Sequence, residues 1–109
     1  MFLFAVCGNI EINRSKMSEV SAYENCTVVE GHVQVTYITK NTNASPEQIA
    51  KIRFPKLREI TDFLVVYRID DVETLRYMFP NLAVIRGQNL FSNYALVIYE
   101  VSVALSSLN

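Results

Sequence analysis

Two cysteines are the residues of this 109-residue chain whose chemistry is easiest to assess. Cys7 and Cys26 lie 19 residues apart (26 − 7), and neither belongs to a Cys-x-x-Cys pair of the kind that marks a redox or zinc site. They form either one disulfide or two buried thiols. Closing a loop of about 20 residues would stabilise the fold by roughly 3 kcal/mol, because it lowers the entropy of the unfolded chain.

The single histidine, His32, limits the enzymes that this sequence can encode. A zinc site would need His32, both cysteines and a carboxylate, and no ligand spacing supports such a set. A Ser-His-Asp or Cys-His triad would need the same histidine, which has no nucleophile motif near it. Carboxylate-only chemistry would rest on scattered acids more typical of solvated faces and caps: Asp62, Asp70, Asp71 and Glu100. The sequence predicts a surface or turn histidine and no enzyme, metal or cofactor.

Three Asn-x-Ser/Thr tripeptides indicate a glycosylating, oxidising compartment. They begin at Asn13, Asn25 and Asn43, and each is an acceptor signal for N-linked glycans in secreted proteins. Such tripeptides also occur by chance in cytosolic chains. The context favours the disulfide between the two cysteines, because disulfides persist in oxidising compartments.

Length and charge exclude several classes of protein. The chain is long enough for one domain, and its formal charge of −1 offers no basic patch for a nucleic acid. Residues 1–6 are apolar but lack the basic start and full length of a signal peptide, so they are either a signal remnant or an ordinary first strand. Residues 90–108 are apolar but contain Glu100, Asn93 and four serines, so we predict no transmembrane segment.

An internal repeat is the most informative feature of the sequence. The motif Phe-Pro-x-Leu-x-x-Ile occurs at residues 54–60 and again at 79–85, an offset of 25 residues (79 − 54). A period in the twenties is typical of a solenoid. β-Branched and aromatic runs follow the two copies, at 63–69 and 94–99, and an earlier run spans 28–37. We expect these runs to be strands stacked in parallel.

Short helices are predicted in the connections. Residues 45–52 begin with a capping serine and a proline, and residues 71–79 begin at an acidic cap and end before Pro80. A third helix begins near Ser15 and should bury Met17, Val20 and Tyr23.

Strand alternation predicts which faces are buried. In the run 33–39, the more buried set is Val33, Val35, Tyr37 and Thr39, and the other set is Gln34, Thr36 and Ile38. The runs at 64–67 and 96–99 are apolar on both faces. One face of each can meet the core, so the other should meet a ligand, a partner, a neighbouring domain or further chain.

Five stretches of the sequence resemble the receptor L domains of the insulin receptor group, most like the first L domain of insulin and insulin-like growth factor receptors. They are Glu24-Asn25-Cys26-Thr27-Val28-Val29-Glu30-Gly31-His32 and the residues at 54–57, 60–62, 79–87 and 93–100. The resemblance covers Val6 to about Tyr99. It implies a mainly β fold with short helices, namely a right-handed parallel β-helix or leucine-rich-repeat-like solenoid, C-terminally incomplete. It also implies a disulfide matching Cys7 to Cys26 and a glycan matching Asn25.

The same resemblance implies a function and a domain division. Residues 1–5 would be a signal remnant, 6–100 a partial L domain and 101–109 a divergent tail. In the family, a peptide hormone lies across the exposed strand face and a receptor segment packs beside it. Carried over by position, the ligand-binding residues are Gln34, Thr36, Val65, Tyr67, Leu90, Phe91, Asn93 and Glu100.

The chain departs from the family at two places on that face. Family members read Asp-Ile-Arg-Asn where this chain has Glu11-Ile12-Asn13-Arg14, and a shift of one residue sends a side chain to the opposite face. A family contact position also falls at Thr39, and a glycan on Asn13 would crowd the face.

Two hypotheses follow. The first is a hormone-binding ectodomain fragment that is extracellular or secreted, has an insulin-like peptide as its partner, and lacks the kinase. The second is a dimerisation or decoy module of the same fold, which pairs with receptor ectodomains and binds no hormone.

Overall fold

Short strands alternate along the chain between two sheets. The computed structural model describes residues 5–38, 47, 51–69 and 72–99. The strands are β1 (Val6–Cys7), β2 (Ile10–Ile12), β3 (Val28–Val29), β4 (Val33–Ile38), β5 (Glu59–Ile60), β6 (Leu64–Ile69), β7 (Val84–Ile85) and β8 (Leu96–Tyr99). A 3-10 helix spans Arg14–Tyr23 and helix α1 spans Val72–Met78.

Both sheets are parallel. The first has the order β1-β3-β5-β7 and the second has the order β2-β4-β6-β8. The predicted parallel stacking of β4, β6 and β8 is therefore confirmed. In the first sheet Ile60 pairs with Ile85, which reproduces the 25-residue repeat. In the second sheet Leu64 pairs with Leu96, 32 residues on (96 − 64), because the connection before β8 is longer.

The core lies between the inward faces of the two sheets. Val33 and Val35 of β4 are fully buried, as the alternation predicts, and so is Val66 of β6. The first sheet contributes its inward residues Val29 and Ile60 to the same core. The side chain of Tyr37 and all of Thr39, the other members of the predicted buried set, lie outside the described part of the chain.

The two copies of the repeated motif pack against each other through their phenylalanine rings. The Phe54 ring, which is fully buried, stacks on the Phe79 ring with centroids 5.3 Å apart and an interplanar angle of 9°. The amide of Asn81 donates a hydrogen bond to the carbonyl oxygen of Pro55 over 2.6 Å. Because the same motif position recurs in both copies, each copy supplies one ring to the stacked pair.

The 3-10 helix buries the residues predicted for it. Val20 is buried, and Met17 and Tyr23 pack against the core. These three residues are spaced by three, which a helix of 3.0 residues per turn places on one line. Asn13 caps the helix, because its Oδ1 accepts a hydrogen bond from the backbone N–H of Ser15 over 3.0 Å.

The other two predicted helices have different outcomes. Helix α1 lies within the predicted range 71–79, and its last residue, Met78, is fully buried. Of the helix predicted at 45–52, the structure describes residues 47, 51 and 52. Glu47 is helical, whereas Lys51 is in a turn and the buried Ile52 is not helical, so the predicted end of the helix was too late. No helix within the described ranges is long and apolar enough to cross a membrane.

A disulfide and a glycine shape the first turns of the chain. Cys7 and Cys26 are bonded, with their Cα atoms 6.0 Å apart, so the alternative of two thiols is excluded. Gly31 has a φ of +134°, and a Cβ there would collide with the side chain of Asn9. The close approach lets Asn9 Oδ1 accept a hydrogen bond from the backbone N–H of His32 over 2.9 Å, which holds the turn before β4.

Candidate functional site

The second sheet presents a face that points away from the core. We call it the outer face, and it consists of Glu11, Gln34, Val65 and Val97 in one row and Thr36, Tyr67 and Tyr99 in the next. Strand alternation causes this arrangement, since the neighbouring residues of β2, β4 and β6 point inward and are buried. Glu11 is the single charged member of the outer face. The outer face is therefore largely uncharged and combines aromatic, aliphatic and uncharged polar side chains.

The predicted ligand residues of β4 and β6 all lie on this face. Gln34 and Thr36 are half-buried, and their register partners are Val65 and Tyr67. Val65 is 7% exposed, because it has neighbours in both adjoining strands. It therefore supports the face more than it offers contact area.

Two tyrosines form the most aromatic part of the outer face. The rings of Tyr67 and Tyr99 stack with centroids 5.1 Å apart and an interplanar angle of 6°. Tyr99 is exposed and was absent from the predicted ligand residues. Register pairing between β6 and β8 explains the contact, and the identical aromatic position in the two runs was the available sequence signal.

The predicted ligand residues between β7 and β8 lie in an exposed turn. Phe91 and Tyr94 exchange backbone hydrogen bonds of 2.9 and 2.8 Å, and Leu90 precedes them. Asn93 has a φ of +72°, a conformation that asparagine tolerates better than most residues. Leu90, Phe91 and Asn93 are all exposed. Glu100, the remaining predicted residue, lies outside the described part of the chain.

A row of rings connects this turn to the strand starts. His32 stacks on Phe63 with centroids 4.6 Å apart, and Phe63 meets Phe91 at 5.6 Å. The Nε2 of His32 lies 2.8 Å from Oε2 of Glu11 on the outer face. The sequence predicted a surface or turn histidine here, without this contact to Glu11. His32 and Phe63 each directly precede a long strand. These equivalent positions were the sequence signal that the two rings are neighbours.

The family departure in β2 is visible next to this row. Glu11 occupies the outer face opposite Gln34, while Asn13 turns into the cap of the 3-10 helix. Asn13 Oδ1 also accepts a hydrogen bond from the hydroxyl of Ser15 over 2.7 Å. Asn25 is exposed, and the sequon at Asn43 lies outside the described residues.

The acids considered for catalysis have structural roles where they are described. Asp62 Oδ1 accepts hydrogen bonds from the backbone N–H and the side-chain amide of Asn89, at 3.2 and 3.1 Å. Asp70 and Asp71 lie outside the described residues, as Glu100 does. Among the residues that the structure describes, no group of three or more His, Cys, Asp or Glu side chains could hold a metal ion.

A separate cleft of about 720 Å³ lies beside the 3-10 helix. Its lining includes Lys51, Arg53 and Tyr77. The Arg53 guanidinium lies 4.9 Å above the Tyr77 ring, and its Nε donates a hydrogen bond to the Tyr77 carbonyl oxygen over 3.1 Å. None of the predicted ligand residues lines this cleft.

A charged pair links β5 to the segment after β7 on the first sheet. Arg86 donates hydrogen bonds from Nε and Nη2 to the two carboxylate oxygens of Glu59, at 2.6 and 3.1 Å. The hydrogen bond with Arg86 lowers the pKa of the Glu59 carboxyl below its ordinary value of 4.5, and the positive charge of Arg86 adds to this effect. The same pairing raises the pKa of Arg86.

We expect Arg86→Gln to raise the pKa of Glu59 toward 4.5. Because the folded-state pKa is depressed, this carboxylate adds stability above its unfolded-state pKa and loses it as pH falls through the folded-state pKa. The variant should therefore lose that acid-side pH dependence. NMR titration of the Glu59 carboxyl checks the shift, with Arg58→Gln as the matched control, and an unchanged Glu59 titration in Arg86→Gln would contradict it.

The inward face of β8 differs from those of its neighbours. Leu96 and Ile98 are in register with the buried Leu64 and Val66, yet they are 49% and 46% exposed. An apolar surface therefore continues beyond the buried core at the β8 end of the second sheet.

Comparison with known proteins agrees with this mainly β fold. Residues 25–109 match the receptor L domain family. The chain is 46% identical over 96 residues to the insulin receptor of Xenopus laevis and to the human insulin receptor-related protein, and 44% identical to the insulin-like peptide receptor of Branchiostoma lanceolatum. Each match covers 88% of this chain but only 7% of the relative. With mainly β structure, short helices and a family match over most of its length, the chain belongs to the receptor L domain family.

Proposed function

We propose that this chain is a hormone-binding segment of an insulin-receptor-type ectodomain, and that its outer face engages an insulin-family peptide. The observation that carries the proposal is the stacked pair Tyr67 and Tyr99 on a face with one charge. Aromatic side chains are enriched at the energetic centres of protein interfaces, whereas charges are depleted there. The names of the relatives, which are receptors for insulin or insulin-like peptides, support the same ligand class.

The exposed turn completes the proposed binding surface. Leu90, Phe91 and Asn93 stand beside the outer face, because Phe91 contacts Phe63 directly before β6. A peptide lying across the strands could therefore contact both the tyrosine pair and this turn. Gln34, Thr36 and Val65 would form the floor, and Glu100 would extend the surface beyond the described residues.

The proposal also covers the wider setting of the chain. Residues 6–100 would form part of a right-handed parallel β-helix, which the two parallel sheets support. The chain would lie outside the cell, with no catalytic role of its own, and would carry glycans at its sequons. The disulfide between Cys7 and Cys26 supports that location, because such bonds persist in oxidising compartments.

Replacing Tyr67 by alanine should weaken hormone binding about tenfold or more, which is the effect of removing an aromatic hot spot. The affinity is measured by surface plasmon resonance, in which the secreted chain is titrated with insulin and with insulin-like growth factors. Tyr77→Ala is the matched control, because Tyr77 is an exposed tyrosine beside the separate cleft. Equal affinities of the Tyr67→Ala variant and the unmodified chain would remove the outer face as the binding surface.

A second candidate function rests on the exposed apolar surface at β8. Leu96 and Ile98 could pack against another receptor ectodomain, and the chain would then act as a dimerisation or decoy module without binding hormone. Co-purification with an intact insulin-type receptor ectodomain in the absence of hormone would support this function. Loss of co-purification in the variant Ile98→Glu would locate the contact at this surface.

A further inference from the structure

The sequon at Asn25 contains a cysteine that the fold buries. In the tripeptide Asn25-Cys26-Thr27, the acceptor asparagine is exposed, but Cys26 is 3% exposed and bonded to Cys7. The middle residue of the acceptor signal is thus covalently fixed to β1. An enzyme that recognises the whole tripeptide finds Cys26 as a free thiol before this bond forms and as a residue bonded to Cys7 afterwards.

Folding also occupies the hydroxyl of the sequon. Thr27 Oγ1 donates its proton to the carbonyl oxygen of Ala5 over 3.0 Å and accepts a hydrogen bond from the Ala5 N–H over 3.1 Å. The Thr27 N–H donates to the same carbonyl, and the Thr27 carbonyl accepts from the N–H of Arg58, both over 2.9 Å. A hydroxyl has one proton to donate, so an enzyme that binds the Thr27 hydroxyl as a donor must first break its bond to Ala5.

The acceptor side chain is held as well. Asn25 Oδ1 accepts a hydrogen bond from Nζ of Lys56 over 2.8 Å.

In glycan transfer, the Asn25 amide nitrogen forms a bond to the anomeric carbon of a sugar carried on a lipid pyrophosphate. The bond between that carbon and the pyrophosphate breaks, the pyrophosphate leaves with the electron pair, and a base takes one amide proton. Because this reaction requires the hydroxyl two residues on, it requires a free Thr27.

We propose that glycan transfer to Asn25 must precede closure of the Cys7–Cys26 disulfide, so that the two modifications compete during synthesis. Disulfide closure removes two protons and two electrons from the cysteine thiols and passes them to an oxidising protein disulfide, which becomes a dithiol. A chain oxidised first docks Thr27 on Ala5 and loses the Asn25 acceptor. The redox state during synthesis therefore sets how much of the protein carries this glycan. The inference rests on the proposed extracellular location.

The sequon at Asn13 provides an internal control. Its hydroxyl, on Ser15, donates to the side chain of Asn13 itself, so this hydrogen bond stays within the exposed sequon, whereas the bond of Thr27 ties its sequon to a residue 22 positions away. No cysteine lies within this tripeptide. Asn13 lies inside the loop that the disulfide closes, but its side-chain hydrogen bonds are with Ser15 of the same tripeptide, so its modification reports whether the chain met the glycosylating enzyme.

The test measures the fraction of Asn25 and Asn13 that carries a glycan, by mass spectrometry of the chain made in secretory eukaryotic cells. A reducing agent during synthesis, or the variant Cys7→Ser, should raise the modified fraction of Asn25 about twofold and leave Asn13 unchanged, because slower disulfide closure lengthens the time open to transfer. An Asn25 fraction that is equal in all three samples while Asn13 is modified would overturn the proposal.

A second measurement does not depend on cell location or on folding of a variant. Unglycosylated chain, purified with its disulfide intact or reduced, is incubated with the purified transferase and its lipid-linked sugar. We expect modification of Asn25 to be at least about tenfold slower in the oxidised chain, because the locked segment must first open locally. Equal rates would overturn the proposal. If neither sequon is modified in cells, the proposed extracellular location is wrong. The comparison of the oxidised and reduced chains still tests whether glycan transfer must precede disulfide closure.

Discussion

Replacing Phe54 by alanine should lower the free energy of unfolding by about 3–5 kcal/mol, the largest effect expected of a single substitution in this chain. Phe54 is fully buried and stacks on Phe79, so alanine would lose both the transfer free energy of the ring and the aromatic contact. It would also leave a cavity between the two copies of the repeated motif. Urea unfolding followed by circular dichroism measures the change.

Phe91→Ala is the matched control for this prediction. Phe91 is 39% exposed in the turn before β8, so its removal should cost no more than about 1 kcal/mol. A Phe54→Ala variant as stable as the Phe91→Ala variant would mean that the stacked pair Phe54 and Phe79 does not support the core.

Removing the disulfide by the double substitution Cys7→Ser and Cys26→Ser should lower the free energy of unfolding by about 3 kcal/mol. The bond closes a loop with a sequence separation of 19 and joins β1 to the segment before β3. Without it, the unfolded chain gains the entropy of the open loop. In the double variant, the buried position 26 would also hold a serine hydroxyl. A buried hydroxyl lowers stability unless it finds a hydrogen-bond partner.

Chemical unfolding of the double variant, compared with the oxidised and reduced forms of the natural chain, measures this effect. The reduced natural chain is the control for the polarity of serine, since it loses the bond but keeps sulfur at both positions. Stability equal to that of the oxidised chain in both samples would contradict the prediction.

The buried face of β4 followed from the sequence because it depends on local alternation. Val33 and Val35 required only the rule that successive side chains point to opposite sides of a strand. The 3-10 helix behaved similarly, since the spacing of Met17, Val20 and Tyr23 places them on one side whatever the rest of the chain does.

The candidate site was only partly predictable for a different reason. Gln34, Thr36 and Tyr67 reached the outer face as expected, but Val65 proved nearly buried and Tyr99 was missed. Burial on this face depends on the side chains of the adjoining strands. Those neighbours come from positions 31 or 32 residues away (64 − 33 and 96 − 64), so no local pattern specifies them.

The amino-acid sequence by itself determined the repeated motif, the strand alternation and the chemistry available, which is one pair of cysteines, one histidine and three sequons. These are properties of single residues or of short spacings. Only the tertiary structure decided that His32 meets Glu11, that Tyr67 meets Tyr99, and that Thr27 locks the Asn25 sequon onto Ala5. Each of those contacts joins different repeats, and the physical reason is that the length and path of the connections set the register between neighbouring strands.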